Sequence, residues 1–188
     1  MKVFWLDLET GGLDPEVNPI LQLGYVIEIN GRRVREGRII SSGFEGCEIH
    51  PEALEVNGLD PKKVEAWPPE SEMYEKLIGI VNTFVNRFDK TDKFVIGGFN
   101  VGFDVEFLRA MFKRQKDKYF GAWFAFQFID PASIVRFIQY AGAMDEFARM
   151  KLTDLAKYFQ VDRPDAHDAL ADIEMTIDVV RKMKELLQ

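Results

Sequence analysis

The stretch VFWLDLETGGLDP, residues 3–15, decides how the rest of the chain is interpreted. Its first half is rich in valine, aromatic residues and leucine, which predicts a strand over residues 2–9. Strand side chains alternate between faces, so Asp7 and Glu9 share one face, and Phe4 and the leucines take the other. Two like charges this close repel unless a proton or a cation lies between them, and carboxylate oxygens are ligands for Mg²⁺ and Mn²⁺. The pair therefore indicates either a metal site or an exposed strand end with two solvated acids.

The segments that follow this strand predict an antiparallel meander. Residues 20–29 and 33–41 have the composition of strands, and between them lies Asn30-Gly31, a dipeptide typical of type I′ hairpin turns. Strands joined by so short a turn pair antiparallel. The first three strands are therefore expected to be neighbours in one sheet.

Beyond the meander, helical and strand patterns alternate. Apolar residues at helical spacing predict a helix over residues 72–88. The remaining predictions are strands over 93–98 and 123–129 and helices over about 103–112, 130–140, 152–159 and 166–187. Phe124, Phe126 and Phe128 alternate as in a buried strand and are expected in the core. This order predicts one domain, 1–188, of α/β class: a mixed five-stranded sheet flanked by helices, which matches the ribonuclease-H-like fold.

A third acid, Asp104, lies in the stretch IGGFNVGFDVEFL, residues 96–108. It falls where a predicted strand meets the next helix, which is where sites in α/β proteins are commonly built. The nearby glycines leave room for a ligand or for another backbone. The alternative is an acid in the first turn of a helix, favoured there by the helix dipole.

A histidine and a fourth acid occur in RPDAHDALADIEMT, residues 163–176. His167 and Asp172 are separated by about 140° on a regular helix, so they would not share a face. Asp165, after Pro164, suits the N-cap position, which places His167 at the helix entrance, where it could lean over Asp172. Histidine can take a proton from water near neutral pH. The alternative is a structural or solvated histidine.

Composition and charge limit the function classes. The chain has 188 residues, 47% of them hydrophobic and 29% charged, which is ordinary for a globular protein. It shows neither an apolar run long enough to span a membrane nor a signal peptide. The single cysteine, Cys47, suits the cytoplasm and is expected to be inert. The net charge of −7 argues against electrostatic binding along a long duplex. It is compatible with binding of a short nucleic-acid end in a cleft whose charge is supplied by metal ions.

Four ordered motifs resemble one enzyme family. They are D-x-E-T-x-G at Asp7, N-x-x-F-D ending at Asp104, H-x4-D from His167 to Asp172, and IHPEALEVNGLDP at residues 49–61. Together they resemble the DEDDh, or DnaQ-like, family of 3′-to-5′ exonucleases, which includes the proofreading epsilon subunit of bacterial DNA polymerase III, ribonuclease T and oligoribonuclease. The resemblance covers nearly the whole chain. Two positions depart from the common pattern, Gly11 in the first motif and Phe99 before the second, and they bear on substrate preference.

The resemblance implies a role for each matching residue. The two divalent cations, Mg²⁺ or Mn²⁺, would be held by Asp7, Glu9, Asp104 and Asp172, with Asp7 bridging both ions. His167 would be the general base. The substrate-binding positions implied by the resemblance or by their apolar character are Thr10, Gly12, Leu13, Asn100 and Phe103. Trp67 is a further candidate for stacking on a base. The cations at 113, 114, 116 and 118 are expected either to meet phosphates or to lie on a solvated helix end, and His50 to lie in a surface loop.

The expected function is a metal-dependent exonuclease that releases nucleoside 5′-monophosphates from single-stranded 3′ ends, with DNA favoured over RNA. Two alternatives stay open: an enzyme that trims RNA or degrades oligoribonucleotides, and a proofreading or binding subunit that contacts a polymerase or another replication protein. The end of the chain at Gln188, with the last helix, favours a free-standing nuclease. A monomer and a homodimer are both compatible with the sequence, and no membrane partner is expected.

Overall fold

The computed structural model describes residues 1–144, 147, 150–161 and 169–185. Its strands are β1 Lys2–Thr10, β2 Ile20–Ile29, β3 Arg32–Ile40, β4 Phe94–Gly97 and β5 Phe124–Ile129. Its helices are α1 Pro51–Val56, α2 Pro61–Glu65, α3 Glu70–Asn82, α4 Gly102–Arg114, α5 Phe120–Trp123, α6 Pro131–Tyr140, α7 Leu152–Tyr158 and α8 Ala169–Glu185. Among the described residues, no helix is both long enough and apolar enough to cross a bilayer. The predicted ends of the closing helix, at 166 and 187, lie outside the described residues.

The sheet has five strands in the order β3-β2-β1-β4-β5, so β1 is central. The first three strands form the predicted antiparallel meander, and β4 and β5 run parallel to β1. Asn30 (φ 52°) and Gly31 (φ 76°) both have the left-handed backbone that a type I′ turn requires. The predicted α/β class and mixed five-stranded sheet are confirmed.

The two faces of β1 are buried by different helices. Leu6 and Leu8 pack on the side of α3 and α4, in the largest apolar cluster. Val3 and Trp5 pack on the other side against Ile173 of α8. The alternation inferred from the sequence is therefore correct, and α8 covers the face to which Asp7 and Glu9 belong.

The helix predicted over residues 72–88 is shorter at its C-terminal end. It begins at Glu70 and ends at Asn82. Beyond it, the Asn86 side chain accepts a hydrogen bond from the Phe88 backbone N–H (3.2 Å), and the Asn86 N–H donates to Asp92 (2.9 Å). These side chains compete with helical hydrogen bonds, which favours an end of the helix before the apolar pattern ends.

The prediction that β5 is a buried strand is wrong for most of its length. Phe124 is buried, but Phe126 is 79% exposed and Phe128 is 39% exposed. In the sheet, β5 lies at the edge and pairs with β4. Phe94 is opposite Phe124 and Ile96 is opposite Phe128, so the register shifts between these pairs. The extra residues of β5 bulge out of the ladder at Phe126, which turns its ring away from the core.

Candidate active site

Asp104 is tied directly to the backbone of β1. Strand β1 pairs with β4 only as far as Trp5, which lies opposite Gly97. Past that point the Leu8 backbone N–H donates to Oδ1 of Asp104 at 3.0 Å. Leu8 is the residue between Asp7 and Glu9, so this bond places the buried Asp104 carboxyl beside the peptide that separates the two strand acids.

Two glycines allow this close approach. A side chain at Gly98 would place its Cβ 2.8 Å from the carbonyl oxygen of Leu6, and one at Gly97 would place it 2.4 Å from the Trp5 ring. Both distances are too short for real contacts, so residues larger than glycine would push β4 away from β1. The space at Gly97 and Gly98 is therefore used by the Trp5 ring and the backbone of β1, whereas a Cβ at Gly102 would meet no atom within 4 Å.

The surroundings of Asp104 disfavour its charge. The pKa of this carboxyl is raised to about 8. Burial is the largest cause, the N–H groups of Leu8 and of Asp104 itself oppose it, and the negative charges of Glu9 and Asp130 add to the rise. A buried carboxyl between acids is the donor chemistry that a divalent cation stabilises, because the cation supplies the missing positive charge.

Asp130 belongs to this acidic group, and the sequence singled it out only as a helix start. It caps α6 by accepting from the Ala132 N–H (3.0 Å) and from the Ser133 hydroxyl (3.0 Å). It also accepts from the N–H of Asn100 (3.2 Å), a residue with a left-handed backbone (φ 53°). Asp130 therefore fixes the turn that leads from β4 into α4.

Helix α8 brings Asp172 to the face of Asp7 through a second close contact. Gly24 of β2 is directly opposite Asp7. A Cβ on Gly24 would lie 2.9 Å from Cβ of Ala169 and 3.1 Å from Ile173. The start of α8 therefore rests on the strand beside Asp7, and Asp172, adjacent to Ile173, lies in the first turn of that helix. His167 lies outside the described residues.

Gly24→Ala is expected to lower kcat by about 100-fold, because the added methyl group displaces α8 and misplaces Asp172. Steady-state kinetics of the variant and of the natural protein would measure the loss. Gly79→Ala is the matched control, since a Cβ there meets no atom within 4 Å. Equal activity in the two variants would contradict this placement of Asp172.

The loop after β1 is held by hydrogen bonds of buried and half-buried side chains. The Thr10 hydroxyl donates to the Gly12 carbonyl (2.7 Å), and Asn57 Nδ2 donates to the Thr10 carbonyl (3.0 Å). Asn18 closes the loop by accepting from the Asp14 N–H (2.9 Å), and its side chain fills the space beside Gly12. The predicted substrate-binding residues Thr10 and Gly12 are thus part of a fixed turn.

An apolar pocket of about 310 Å³ opens beside this turn. Leu13 (83% exposed) and Val56 (75% exposed) present aliphatic side chains to it. Its other lining residues are Thr10, Gly12, His50, Glu52, Ala53 and Asn57. Helix α1 supplies one wall, and the sequence patterns predicted neither α1 nor α2 as helices. His50, expected in a surface loop, is the N-cap residue of α1 and lines the pocket.

Phe103 and Asn100 lie where β4 passes into α4, close in sequence to Asp104. The Phe103 ring is 38% exposed and rests on Phe107, with ring centroids 4.8 Å apart. Asn100 is exposed. Both predicted residues are available to a ligand at this end of the sheet.

The cations at the end of α4 have structural partners. Arg114 forms two hydrogen bonds with the buried Glu70 (2.8 and 2.6 Å), donates to the Pro15 carbonyl (2.7 Å) and lies over the Phe44 ring. Lys113 pairs with Glu16 (2.9 Å). Arg114 is therefore a structural residue, and the expectation of a solvated helix end is wrong for it.

Within the described ranges, no three aspartate, glutamate, histidine or cysteine side chains converge closely enough to form a metal site in their present positions. Asp7, Glu9 and Asp172 each make interactions in the folded protein and are half-buried. Their carboxylate oxygens are nonetheless the type of donor that hard divalent cations bind.

A family model described as Exonuclease (RNase_T) matches residues 4–180. The chain belongs to the DnaQ-like 3′-to-5′ exonuclease family. Ribonuclease T of Actinobacillus pleuropneumoniae serotype 5b (strain L20) is 26% identical to this exonuclease over 191 residues, which cover 96% of this chain and 84% of that protein.

Solved structures of exonuclease I have the same fold as this exonuclease. A zinc-bound complex of Escherichia coli exonuclease I with single-stranded DNA aligns with a TM-score of 0.80 at 19% identity over 98% of this chain. Exonuclease I of Methylocaldum szegediense aligns with a TM-score of 0.79 at 20% identity, also over 98% of this chain. This exonuclease spans about two fifths of the length of each of those chains, 40% in both cases.

Proposed function

We propose that this exonuclease, acting as a single domain, removes nucleoside 5′-monophosphates one at a time from single-stranded 3′ ends, with DNA preferred. The observation that carries the proposal is the hydrogen bond from the Leu8 N–H to Asp104, because it places Asp104 next to the strand segment that carries Asp7 and Glu9. The complexes of exonuclease I with single-stranded DNA support DNA as the substrate.

The proposed metal ligands are Asp7, Glu9, Asp104 and Asp172, and the proposed ions are two Mg²⁺ or Mn²⁺. Bound there, such ions would lower the pKa of the attacking water and neutralise charge on the departing oxygen. The raised pKa of Asp104 supports this assignment, since a cation offsets the burial and repulsion that disfavour its charge.

The terminal base is proposed to enter the apolar pocket between Leu13 and Val56. A volume of about 310 Å³ suits one base, and aliphatic side chains can pack against the face of any base. A base that is paired in a duplex could not insert without leaving its partner, so the pocket favours single strands. Phe103, whose ring is partly exposed at the start of α4, would support the neighbouring base.

The proposed general base is His167, on the strength of the H-x4-D motif. His167→Ala is expected to slow the chemical step by about 10²- to 10⁴-fold, because the attacking water loses its proton acceptor. The acidic limb of the pH–rate profile should also flatten in the variant. A profile with the same shape as that of the natural protein would remove His167 from this role.

The test of the proposed function is digestion of end-labelled single-stranded DNA and RNA with Mg²⁺, Mn²⁺ or EDTA. The expected result is stepwise shortening from the 3′ end, release of nucleoside 5′-monophosphates and no reaction in EDTA. Internal cleavage, or activity that survives EDTA, would overturn the proposal. A matched duplex is expected to be a poor substrate, in keeping with the net charge of −7.

RNA trimming is the second candidate, and the similarity to ribonuclease T favours it. The same digestion series decides between them through the ratio of kcat/KM on DNA and RNA oligomers of equal length. A replication partner and the choice between monomer and homodimer stay predictions from the sequence.

A further inference from the structure

A cationic pocket lies where α4 ends, away from the proposed metal ligands. Its volume is about 430 Å³, and four cations line it: Arg109, Lys113, Lys116 and Lys118. From Asp104 to the last residue of α4 the helix rises about 15 Å. A stacked single strand rises about 3.4 Å per nucleotide, so about four to five nucleotides reach from the metal ligands to this pocket.

Three of the four cations are available to a ligand. Arg109, Lys116 and Lys118 are exposed and form no ion pair with any residue that the structure describes. The guanidinium of Arg109 lies over the Phe120 ring, 4.4 Å from its centroid, and this contact does not neutralise its charge. The pocket is therefore positive on a protein whose net charge is −7.

The acids near the pocket do not cancel this charge. Glu16 pairs with Lys113 (2.9 Å) and so neutralises only the fourth cation. Asp117 also lines the pocket, and its carboxylate oxygens accept hydrogen bonds from the Tyr74 hydroxyl (2.5 Å) and the Tyr119 backbone N–H (2.6 Å). Four cations less these two acids leave a net charge of +2.

Lys116 has a backbone conformation that favours glycine. Its φ is 57°, and it follows the C-cap residue of α4. The Lys116 N–H donates to the Lys113 carbonyl (3.0 Å), and the Asp117 N–H donates to the Phe112 carbonyl (2.9 Å), which is the Schellman pattern. Glycine is the usual residue at this position because a Cβ is disfavoured there. A lysine is less favourable for folding, so a role for its charge accounts for its presence.

The loop between β1 and β2 connects this pocket to the apolar pocket. The loop carries Leu13, which lines the apolar pocket, and then Glu16, which pairs with Lys113 of the cationic pocket. Tyr119 is 61% exposed and offers a ring to an unpaired base. A strand whose terminal base enters the apolar pocket therefore has a path along this loop to the cations.

We propose that the cationic pocket binds an internucleotide phosphate of the substrate strand, about four to five nucleotides before the 3′ end, through Arg109, Lys116 and Lys118. The proposal rests on the proposed function, because it assigns the pocket to the same single strand. Cations that follow the phosphates, together with an exposed ring for a base, are the features that hold single strands without sequence preference.

Lys116→Gly removes the charge without harming the fold, since glycine suits the left-handed backbone. Binding of a fluorescent single-stranded dodecanucleotide is measured by anisotropy in EDTA across a salt series. The slope of log Kd against log salt should become shallower by about 0.7, the loss of one phosphate contact, and affinity should fall about eightfold near 0.05 M salt. The Tm should rise by about 2 to 4 °C.

Two variants serve as controls. Gln160 (φ 54°) has the same hydrogen-bond pattern after α7, so Gln160→Gly should raise the Tm in the same way and leave binding unchanged. Lys184→Gln removes one exposed charge from α8, on the opposite face of the sheet from α4, and should not change the slope. An unchanged slope in Lys116→Gly, or an equal change in Lys184→Gln, would overturn the proposal.

Cleavage of substrates of two lengths separates binding at the pocket from an effect on the catalytic centre. Lys116→Gly should raise KM for the dodecanucleotide without lowering kcat, and should change neither for a dinucleotide, which is too short to reach the pocket. Equal losses on both lengths would contradict the proposal. Failure of the natural protein to cleave either substrate would reject the proposed function, while the salt series in EDTA would still decide the pocket.

An acidic peptide also complements a positive pocket, so labelled poly-glutamate is titrated under the same conditions. The natural protein is expected to bind it more weakly than the dodecanucleotide at each salt concentration. Binding of poly-glutamate that depends on Lys116, together with an oligonucleotide slope that does not, would assign the pocket to an acidic protein partner and overturn the proposal.

Discussion

Asp104→Asn is expected to abolish cleavage and at the same time to stabilise the metal-free protein. The loss should be about 10⁴-fold or more, because a neutral amide supplies several kcal/mol less charge stabilisation to bound cations. The gain in stability arises because the amide oxygen can still accept the Leu8 N–H, while the buried charge disappears.

The direction of the pH dependence follows from the raised pKa of Asp104. This carboxyl has an ordinary value of 3.8 and a value of about 8 in the folded, metal-free protein. Its contribution to folding is fully present below pH 4 and is lost as the pH rises towards 8, because the unfolded chain ionises first. Asp104→Asn cannot ionise, so its advantage in unfolding free energy should grow between pH 4 and 8 and then level off.

The measurement is denaturant unfolding at pH 5, 7 and 9, with EDTA and with Mg²⁺. In EDTA the variant should exceed the natural protein by a margin that increases with pH. With Mg²⁺ the natural protein should gain stability and the variant should not. Glu106→Gln, on the exposed side of the same helix, is the control and should show no such trend. A variant less stable than the natural protein at pH 9 in EDTA would contradict the burial of a costly carboxyl.

Asp172→Asn is expected to reduce cleavage by a similar factor, about 10⁴-fold, without unfolding the protein. The start of α8 is held against β2 by the contacts of Ala169 and Ile173 with Gly24, and the substitution leaves these unchanged. Asp172 is also half-buried and lies in the first helical turn, where an amide is tolerated. Its loss should therefore affect chemistry and metal affinity far more than the fold.

Asp178→Asn is the matched control on the same helix. Asp178 pairs with Arg181 (3.2 Å), a partly exposed ion pair of small expected value. Kinetics and Mg²⁺ titration of both variants should show a large loss only for Asp172→Asn. Near-natural activity in Asp172→Asn, with the control unchanged, would remove Asp172 from the metal centre.

The architecture could be predicted from the sequence because its signals are local. Alternating residues in β1, the Asn30-Gly31 turn and the helical spacing in α4 each depend on neighbours a few residues apart. The placement of Asp7 and Glu9 on one face followed from the same alternation. The error at the end of α3 arose because apolar spacing does not register the hydrogen bonds that Asn86 and Asp92 make there. The error at Phe126 arose from a register shift that depends on how β5 pairs with β4.

Much of the candidate site could not be predicted, because it depends on contacts between distant segments. The bond from Leu8 to Asp104 joins residues 96 positions apart. The role of Gly24 is evident only once β2 and α8 are packed together. The pocket at Val56 needs helix α1, which is too short to give a clear periodic signal. The roles of His167 and of the four acids in catalysis stay predictions.

The two edges of the sheet differ in how they meet other molecules. Strand β3 carries Arg32, Arg33, Arg35 and Arg38, and charged side chains of this kind discourage a foreign strand from pairing. Strand β5, with the sequence FAFQFI, has neither charge nor proline and turns Phe126 to solvent. Such segments are templates for intermolecular β-pairing. In the part of the chain that the structure describes, the β3 edge of the sheet therefore carries charges that oppose aggregation, and the β5 edge does not.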